Sequence, residues 1–138
     1  MKNAIASSLL TAFVLLSAIG CGPGDPRTEA IQQRSRWSVE LVSWIQKQDG
    51  NLGVEVRFTG PPSTTLERLT IRISQLDAEG AVISSSWHTI DTKDVPLGAP
   101  KELRFNIPPA EGVEGLTAEN VLAPTAEDEQ NIPELKGL

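Results

Sequence analysis

Apolar side chains recur at every second position in a series of short stretches between Trp37 and Ile107. Val54, Val56 and Phe58, for example, alternate with charged or polar neighbours. Because successive side chains of a β-strand point to opposite faces, this spacing predicts strands that each bury one face. No stretch of ten or more residues in this region has a strong helical period. The pattern therefore predicts an all-β fold.

Turn signals divide this region into five predicted strands. The strands are expected near residues 37–45, 54–59, 66–76, 82–90 and 102–107. Asp49-Gly50 lies between the first two and is typical of a hairpin turn. Pro108-Pro109 ends the fifth strand, because proline has no backbone N–H to donate to a neighbouring strand. Short strands separated by turns are typical of a β-sandwich.

Alternation along the first predicted strand assigns Trp44 to one of the two faces of that strand. Strict alternation places one set of side chains on a common face, namely Trp37, Val39, Leu41, Ser43 and Ile45. Val42 and Trp44 then lie on the opposite face. Trp44 is expected either to pack in a second buried layer or at an edge, or to be an exposed binding residue. Trp87, in the fourth strand, is a second candidate interaction residue.

The stretch from Leu69 to Pro108 reads as strand, Asp-x-x-Gly turn, strand, Pro- and Gly-containing loop, and Leu-x-Phe-x-Ile. This rhythm resembles the immunoglobulin-like or fibronectin-like modules of bacterial envelope lipoproteins, such as the FxLYD type. The tyrosine of that motif is missing, since the chain has no Tyr. The resemblance implies a small immunoglobulin-like β-sandwich and assigns no function.

The first twenty residues have the pattern of a signal peptide. Lys2 supplies a positive charge, and an apolar stretch follows from Ala4 to Ile19. Its densest part, Leu9 to Leu16, is shorter than the roughly 20 residues that a membrane-spanning helix needs. Residues 1–20 are therefore predicted to be cleaved from the mature protein.

The segment 16–21 reads Leu-Ser-Ala-Ile-Gly-Cys and contains the only cysteine of the chain. It resembles the lipobox of bacterial lipoproteins, with Ala18 where the family usually has Leu. The resemblance implies cleavage between Gly20 and Cys21, diacylglycerol on the Cys21 sulfur, and further acylation with fatty chains such as palmitate. Gly22 in place of Asp resembles the default signal for the outer membrane in Gram-negative bacteria. An ordinary secretory signal with a chance cysteine is the alternative.

These signals divide the chain into four parts. Residues 1–20 are the signal peptide, and residues 21–35 are the lipidated cysteine and a flexible tether that reaches about 45 Å when extended. A short helical turn from Thr28 to Arg34, capped by Thr28, is an option within the tether. Residues 36–109 form the β-sandwich domain. Residues 110–138 are expected to be an acidic, partly disordered tail, in which Thr117 to Leu122 forms either one short turn of helix or a last small strand.

Charge is concentrated in that tail. The chain has a net charge of -6, and seven acids and one base follow Pro109. The acids are Glu111, Glu114, Glu119, Glu127, Asp128, Glu129 and Glu134. Such a balance argues against nucleic acid or anionic lipid headgroups bound through a basic patch. The tail is predicted to be a solvated end, with a docking peptide for a basic partner as the alternative.

Motifs that carry catalysis are sparse. His88 is the only histidine, and the chain lacks the Gly-x-Ser-x-Gly pattern of a nucleophile elbow. A Ser-His-Asp constellation assembled in space stays open, but a surface or hydrogen-bonded strand histidine is favoured. One histidine and a lipidated cysteine cannot supply the three or four ligands of a zinc site. No metal, no cofactor and no enzymatic activity are expected.

The sequence thus predicts a lipid-anchored envelope lipoprotein that acts as a non-enzymatic binding or structural module. It would be held on the cell membrane through Cys21, at the outer membrane facing the periplasm in a Gram-negative host. Its partner would be an envelope protein or polymer that the sequence does not identify. The alternatives are a periplasmic assembly factor or inhibitor of the pilotin-like chaperone type, working through the acidic tail, and a hydrolase built around His88.

Overall fold

The structure is a computed structural model that describes residues 25–136. In chain order the elements are helix α1 (Pro26–Ser35), strands β1 (Ser38–Gln46), β2 (Leu52–Thr59), β3 (Arg68–Leu76) and β4 (Val82–Asp91), a first 3-10 helix (Thr92–Asp94), strands β5 (Pro100–Ile107) and β6 (Gly115–Glu119), helix α2 (Ala126–Asn131) and a second 3-10 helix (Pro133–Leu135). The predicted all-β sandwich is confirmed, with six described strands rather than five.

Two three-stranded antiparallel sheets make up the sandwich. The first has the order β1-β2-β5 and the second the order β4-β3-β6. The hairpin predicted at Asp49-Gly50 joins β1 to β2, and the Lys47 amide donates to the Asn51 carbonyl at 2.8 Å. Gly50 has a φ of 92°, a conformation that glycine adopts without steric cost. The β3–β4 turn has the same character at Gly80, with a φ of 83°.

A β-bulge in β1 overturns the predicted face of that strand. Leu41 pairs with Val56 and Ser43 pairs with Glu55, so Val42 is an extra residue in the ladder. Such an insertion reverses the alternation beyond it. Trp44 therefore packs against the core, whereas Ile45 is 64% exposed. The prediction that Ile45 shares the buried face was wrong for this reason.

The main core lies between the two sheets. It contains Trp37, Leu52, Val54, Val56, Phe58, Leu69, Ile71, Ile73, Ile90, Val95, Ile107 and Leu116. Strand β3 is buried on both of its faces, since Thr70 and Ser74 are as inaccessible as Ile71 and Ile73. Another part of the molecule therefore covers the outer face of the second sheet, on which Thr70 and Ser74 lie.

That cover is formed by both ends of the described chain. We call α1, α2 and the second 3-10 helix the helical cover. Val121, Ile132 and Leu135 form a small buried cluster with Ala30, Ile31 and Trp87 packed against it. The described molecule is thus three layers deep, with the second sheet in the middle.

The prediction of a flexible tether over residues 21–35 was wrong from Pro26 onward, because α1 is a ten-residue helix. Asp25, not Thr28, is its N-cap, and the Asp25 carboxylate accepts from the amides of Arg27 and Thr28 at 3.1 and 3.4 Å. Pro26 occupies the first helical turn, where its missing N–H costs nothing. The helix carries too few apolar residues to show a stripe in the sequence.

The prediction of a partly disordered tail over residues 110–138 was also wrong for its described part. Strand β6 pairs with β3, and helix α2 begins with a capping box between Thr125 and Asp128. Ile132 and Leu135 are buried. The folded unit therefore extends on both sides of the predicted domain boundaries 36 and 109.

Candidate functional site

Two predicted site residues, Gly20 and Cys21, lie outside the described residues, as does the predicted signal peptide. The two candidate tryptophans lie within them. Trp44 is half-buried and packs on the main core, to which the bulge in β1 turns it.

Trp87 is tied to the helical cover. Its side chain packs against the cluster of Val121, Ile132 and Leu135, and its indole Nε1 donates to Asp128 Oδ1 at 3.0 Å. Both the apolar ring and the polar N–H are therefore engaged within the molecule. Trp87 therefore connects β4 to α2 through non-covalent contacts and is not a free aromatic residue.

Asp128 is the most highly coordinated carboxylate in the described part of the chain. It is fully buried and accepts hydrogen bonds from Arg72 at 2.8 and 2.9 Å, from Trp87, and from the Thr125 amide and hydroxyl at 2.9 and 3.0 Å. Burial raises the pKa of Asp128, but these hydrogen bonds outweigh it and hold the pKa below its ordinary value. Arg72 also pairs with Glu119 on β6.

Arg34, at the end of α1, is a second buried charge. Its Nη2 donates to the Thr70 carbonyl at 2.8 Å and to the Val121 carbonyl at 3.2 Å. Its Nη1 lies 3.8 Å from Glu134 Oε2. Burial lowers the pKa of Arg34, while the carboxylates of Glu134 and Asp128 raise it. A buried arginine needs such partners, because an uncompensated charge in the interior is strongly destabilising.

These five side chains, Arg34, Thr70, Arg72, Asp128 and Glu134, form what we call the buried polar cluster. Thr70 completes it by donating to Glu134 Oε1 at 2.6 Å. The cluster connects α1, β3, α2 and the second 3-10 helix, so it fastens both chain ends to the middle sheet. Asp128 and Glu134, two acids of the predicted docking tail, therefore serve the fold, which leaves the assembly-factor hypothesis without these groups free to bind a basic partner.

His88 lies between the two sheets at the side where β4 faces β5. Its Nε2 is 2.8 Å from Ser86 Oγ, and its ring packs on Phe105 with centroids 5.2 Å apart. Burial lowers the pKa of His88. Among the described residues no carboxylate hydrogen-bonds to its ring, and Asp91 instead caps the first 3-10 helix. A serine and a histidine meet here, but the described residues contribute no acid to make a triad.

One surface depression, of about 590 Å³, is lined by residues 64–67, 92–93 and 95–97. A smaller one, of about 240 Å³, lies on the outer face of the first sheet beside Gly53. At its rim Lys47 donates to Asn106 at 2.9 Å and Arg104 donates to Glu55 at 3.2 Å. Across residues 25–136 no group of three or more His, Cys, Asp or Glu side chains is placed to hold a metal. No helix in that range is long and apolar enough to cross a membrane.

The buried polar cluster was missed by sequence reasoning. Its one readable signal is Thr125-x-x-Asp128, which has the spacing of a capping box. No feature of the neighbouring sequence distinguishes the buried Arg34 from the exposed arginines. No protein-family model matches the chain, and no curated protein or solved structure matches it either.

Proposed function

We propose that the chain is a lipid-anchored envelope protein whose folded head acts as a non-enzymatic binding or structural module. The observation that carries this proposal is the spacing between the lipobox-like segment, which ends at Cys21, and the cap of α1 at Asp25. A signal-like segment, a solitary cysteine and the start of a folded domain follow one another without a long spacer.

The spacing limits how far the head can lie from the bilayer. Four residue steps separate Cys21 from Asp25, which span at most about 14 Å when fully extended. A head on so short a connection reaches partners in or directly above the membrane. Two or three acyl chains would hold it stably, because each buried CH₂ contributes roughly 0.8 kcal/mol.

The non-enzymatic part of the proposal is supported by how the ionisable groups are used. In the buried polar cluster the charges form ion pairs within the fold, Arg72 with Asp128 and Arg34 with Glu134, although Arg34 Nη1, Arg72 Nε and Glu134 Oε2 make no hydrogen bond with a described residue. His88 contacts a serine and a phenylalanine but no carboxylate among the described residues. Groups engaged in this way hold the domain together, whereas catalytic groups converge on a place where a substrate can sit.

Mass spectrometry of the mature N-terminus tests the anchor. We expect a polypeptide that begins at Cys21 and carries acyl mass on that residue. Cys21→Ala should abolish the acyl mass and release the protein from the membrane fraction. Ser17→Ala, in the same segment but without a sulfur, is the matched control and should leave both unchanged. A mature chain that starts elsewhere, or a Cys21 free of acyl mass, would overturn the proposal.

A further inference from the structure

The N-terminal end of the described chain lies in the helical cover. Arg27, in the first turn of α1, pairs with Glu129 of α2. Helix α2 in turn lies on the outer face of the second sheet, where Asp128 contacts Arg72 and Trp87. The N-terminal turn of α1 is therefore level with α2, in the layer farthest from the first sheet.

The thickness of the layers sets how far this end lies from the opposite surface of the head. Packed sheets are about 10 Å apart. A helix with its side chains is about 10–12 Å across, so its axis lies roughly 10 Å from the sheet beneath it. Asp25, the N-cap of α1, therefore lies about 20 Å from the plane of the first sheet. The side chains on the outer face of that sheet lie farther away still.

The connection to the proposed anchor is shorter than this distance. Asp25 lies four residues after Cys21, which limits the separation of their Cα atoms to about 14 Å. Because the lipidated sulfur would carry the glycerol, Cys21 would lie beneath the headgroup region, which is roughly 5–8 Å thick. About 10 Å or less of the connection then remains above the headgroups. A head that rested on the outer face of the first sheet would need at least twice this length.

We propose that the helical cover is the side of the head nearest to the bilayer and that the outer face of the first sheet points away from it. This inference rests on the proposed lipid anchor. Length sets the orientation and charge does not, because the exposed Glu29 and Glu127 on the helical cover have no attraction to anionic headgroups. The surface that faces the aqueous compartment is then the outer face of the first sheet, with the exposed Ile45 and the depression beside Gly53.

Quenching of fluorescent labels by lipid headgroups tests this orientation. The acylated mature chain is placed in phosphatidylcholine vesicles that contain a headgroup-spin-labelled lipid. Cys21 is the only cysteine, so once its sulfur carries lipid an introduced cysteine is the only free thiol. Glu29→Cys labels the helical cover, and Glu102→Cys, which also replaces an exposed glutamate, labels the outer face of the first sheet. We expect several-fold stronger quenching at position 29 than at position 102.

A second pair of labels repeats the comparison without removing a charge. Gln130→Cys lies on α2 and Ile45→Cys on the first sheet, and both positions are exposed. We expect the same order, with the label on the helical cover quenched more strongly. Circular dichroism checks that all four variants fold.

A longer connection tests whether length is the cause. About ten glycine and serine residues inserted between Gly24 and Asp25 extend the typical reach to about 20 Å and the maximum to about 45 Å. The ratio of quenching between the two faces should then fall towards one. Equal quenching on both faces of the parent chain, or a ratio that the insertion leaves unchanged, would contradict this inference but leave the anchor standing. A chain that does not float with the vesicles would refute the anchor, and this inference with it.

Discussion

Replacing Asp128 by alanine should weaken the attachment of the helical cover more than any neighbouring surface change. The carboxylate is the common acceptor for Arg72, Trp87 and Thr125, and it is completely buried. Asp128→Ala leaves the Trp87 indole N–H and the Thr125 amide without their acceptor. It also removes one of the two carboxylates that pair with Arg72.

The magnitude follows from the groups left behind. Loss of the capping interaction with Thr125 costs about 1 kcal/mol. An unpaired indole N–H costs about 1 kcal/mol or slightly more. Loss of the ion pair costs about another 1 kcal/mol, less than for a fully buried pair, because the Arg72 side chain is 24% exposed and keeps Glu119. We expect the free energy of unfolding to fall by about 3 kcal/mol, or the melting temperature by about 12 °C.

Urea denaturation followed by tryptophan fluorescence measures this change, since Trp87 reports directly on the contact. Glu127→Ala is the matched control, because it removes the same charge from an exposed residue in the same helical turn. The control should change the free energy of unfolding by less than about 0.5 kcal/mol. If Asp128→Ala were no more destabilising than Glu127→Ala, the conclusion that Asp128 attaches the helical cover to the second sheet would be refuted.

Two further predictions concern packing and pH. A Cβ added at Gly60 would lie 2.8 Å from the buried Trp37 ring, so Gly60→Ala should lower the free energy of unfolding by about 2 kcal/mol in a denaturant titration. Gly115→Ala, whose Cβ meets nothing closer than 3.8 Å, should change it little, and equal effects would contradict the steric reason. Because burial lowers the pKa of His88, the folded state favours its neutral form, so thermal stability should fall as pH drops below about 6.5. His88→Gln should flatten this dependence between about pH 5 and pH 7, and an unchanged slope would assign it to another group.

The strands were predictable because their signal is local. Alternation in Val54, Val56 and Phe58 and the turn at Asp49-Gly50 identify β2 and the first hairpin without knowledge of any distant contact. The proline pair after Ile107 likewise marks the end of β5. Each of these signals acts through backbone geometry within a few residues.

The side that Trp44 faces was not predictable in this way. Strict alternation places it opposite Trp37, and only the bulge at Val42 turns it toward the core. The sequence around Val42 contains no glycine or proline that would indicate a bulge. The bulge arises from the register in which β1 pairs with β2, which depends on a second strand.

Local residue patterns are enough to predict the strands and the lipobox-like segment before Asp25. Only contacts between distant parts of the chain place α1 and the acidic segment 126–135 in the fold. Their local sequences are polar and resemble solvated ends. They become ordered because β3 offers a second face, where Arg34 and Asp128 find partners that lie dozens of residues away along the chain.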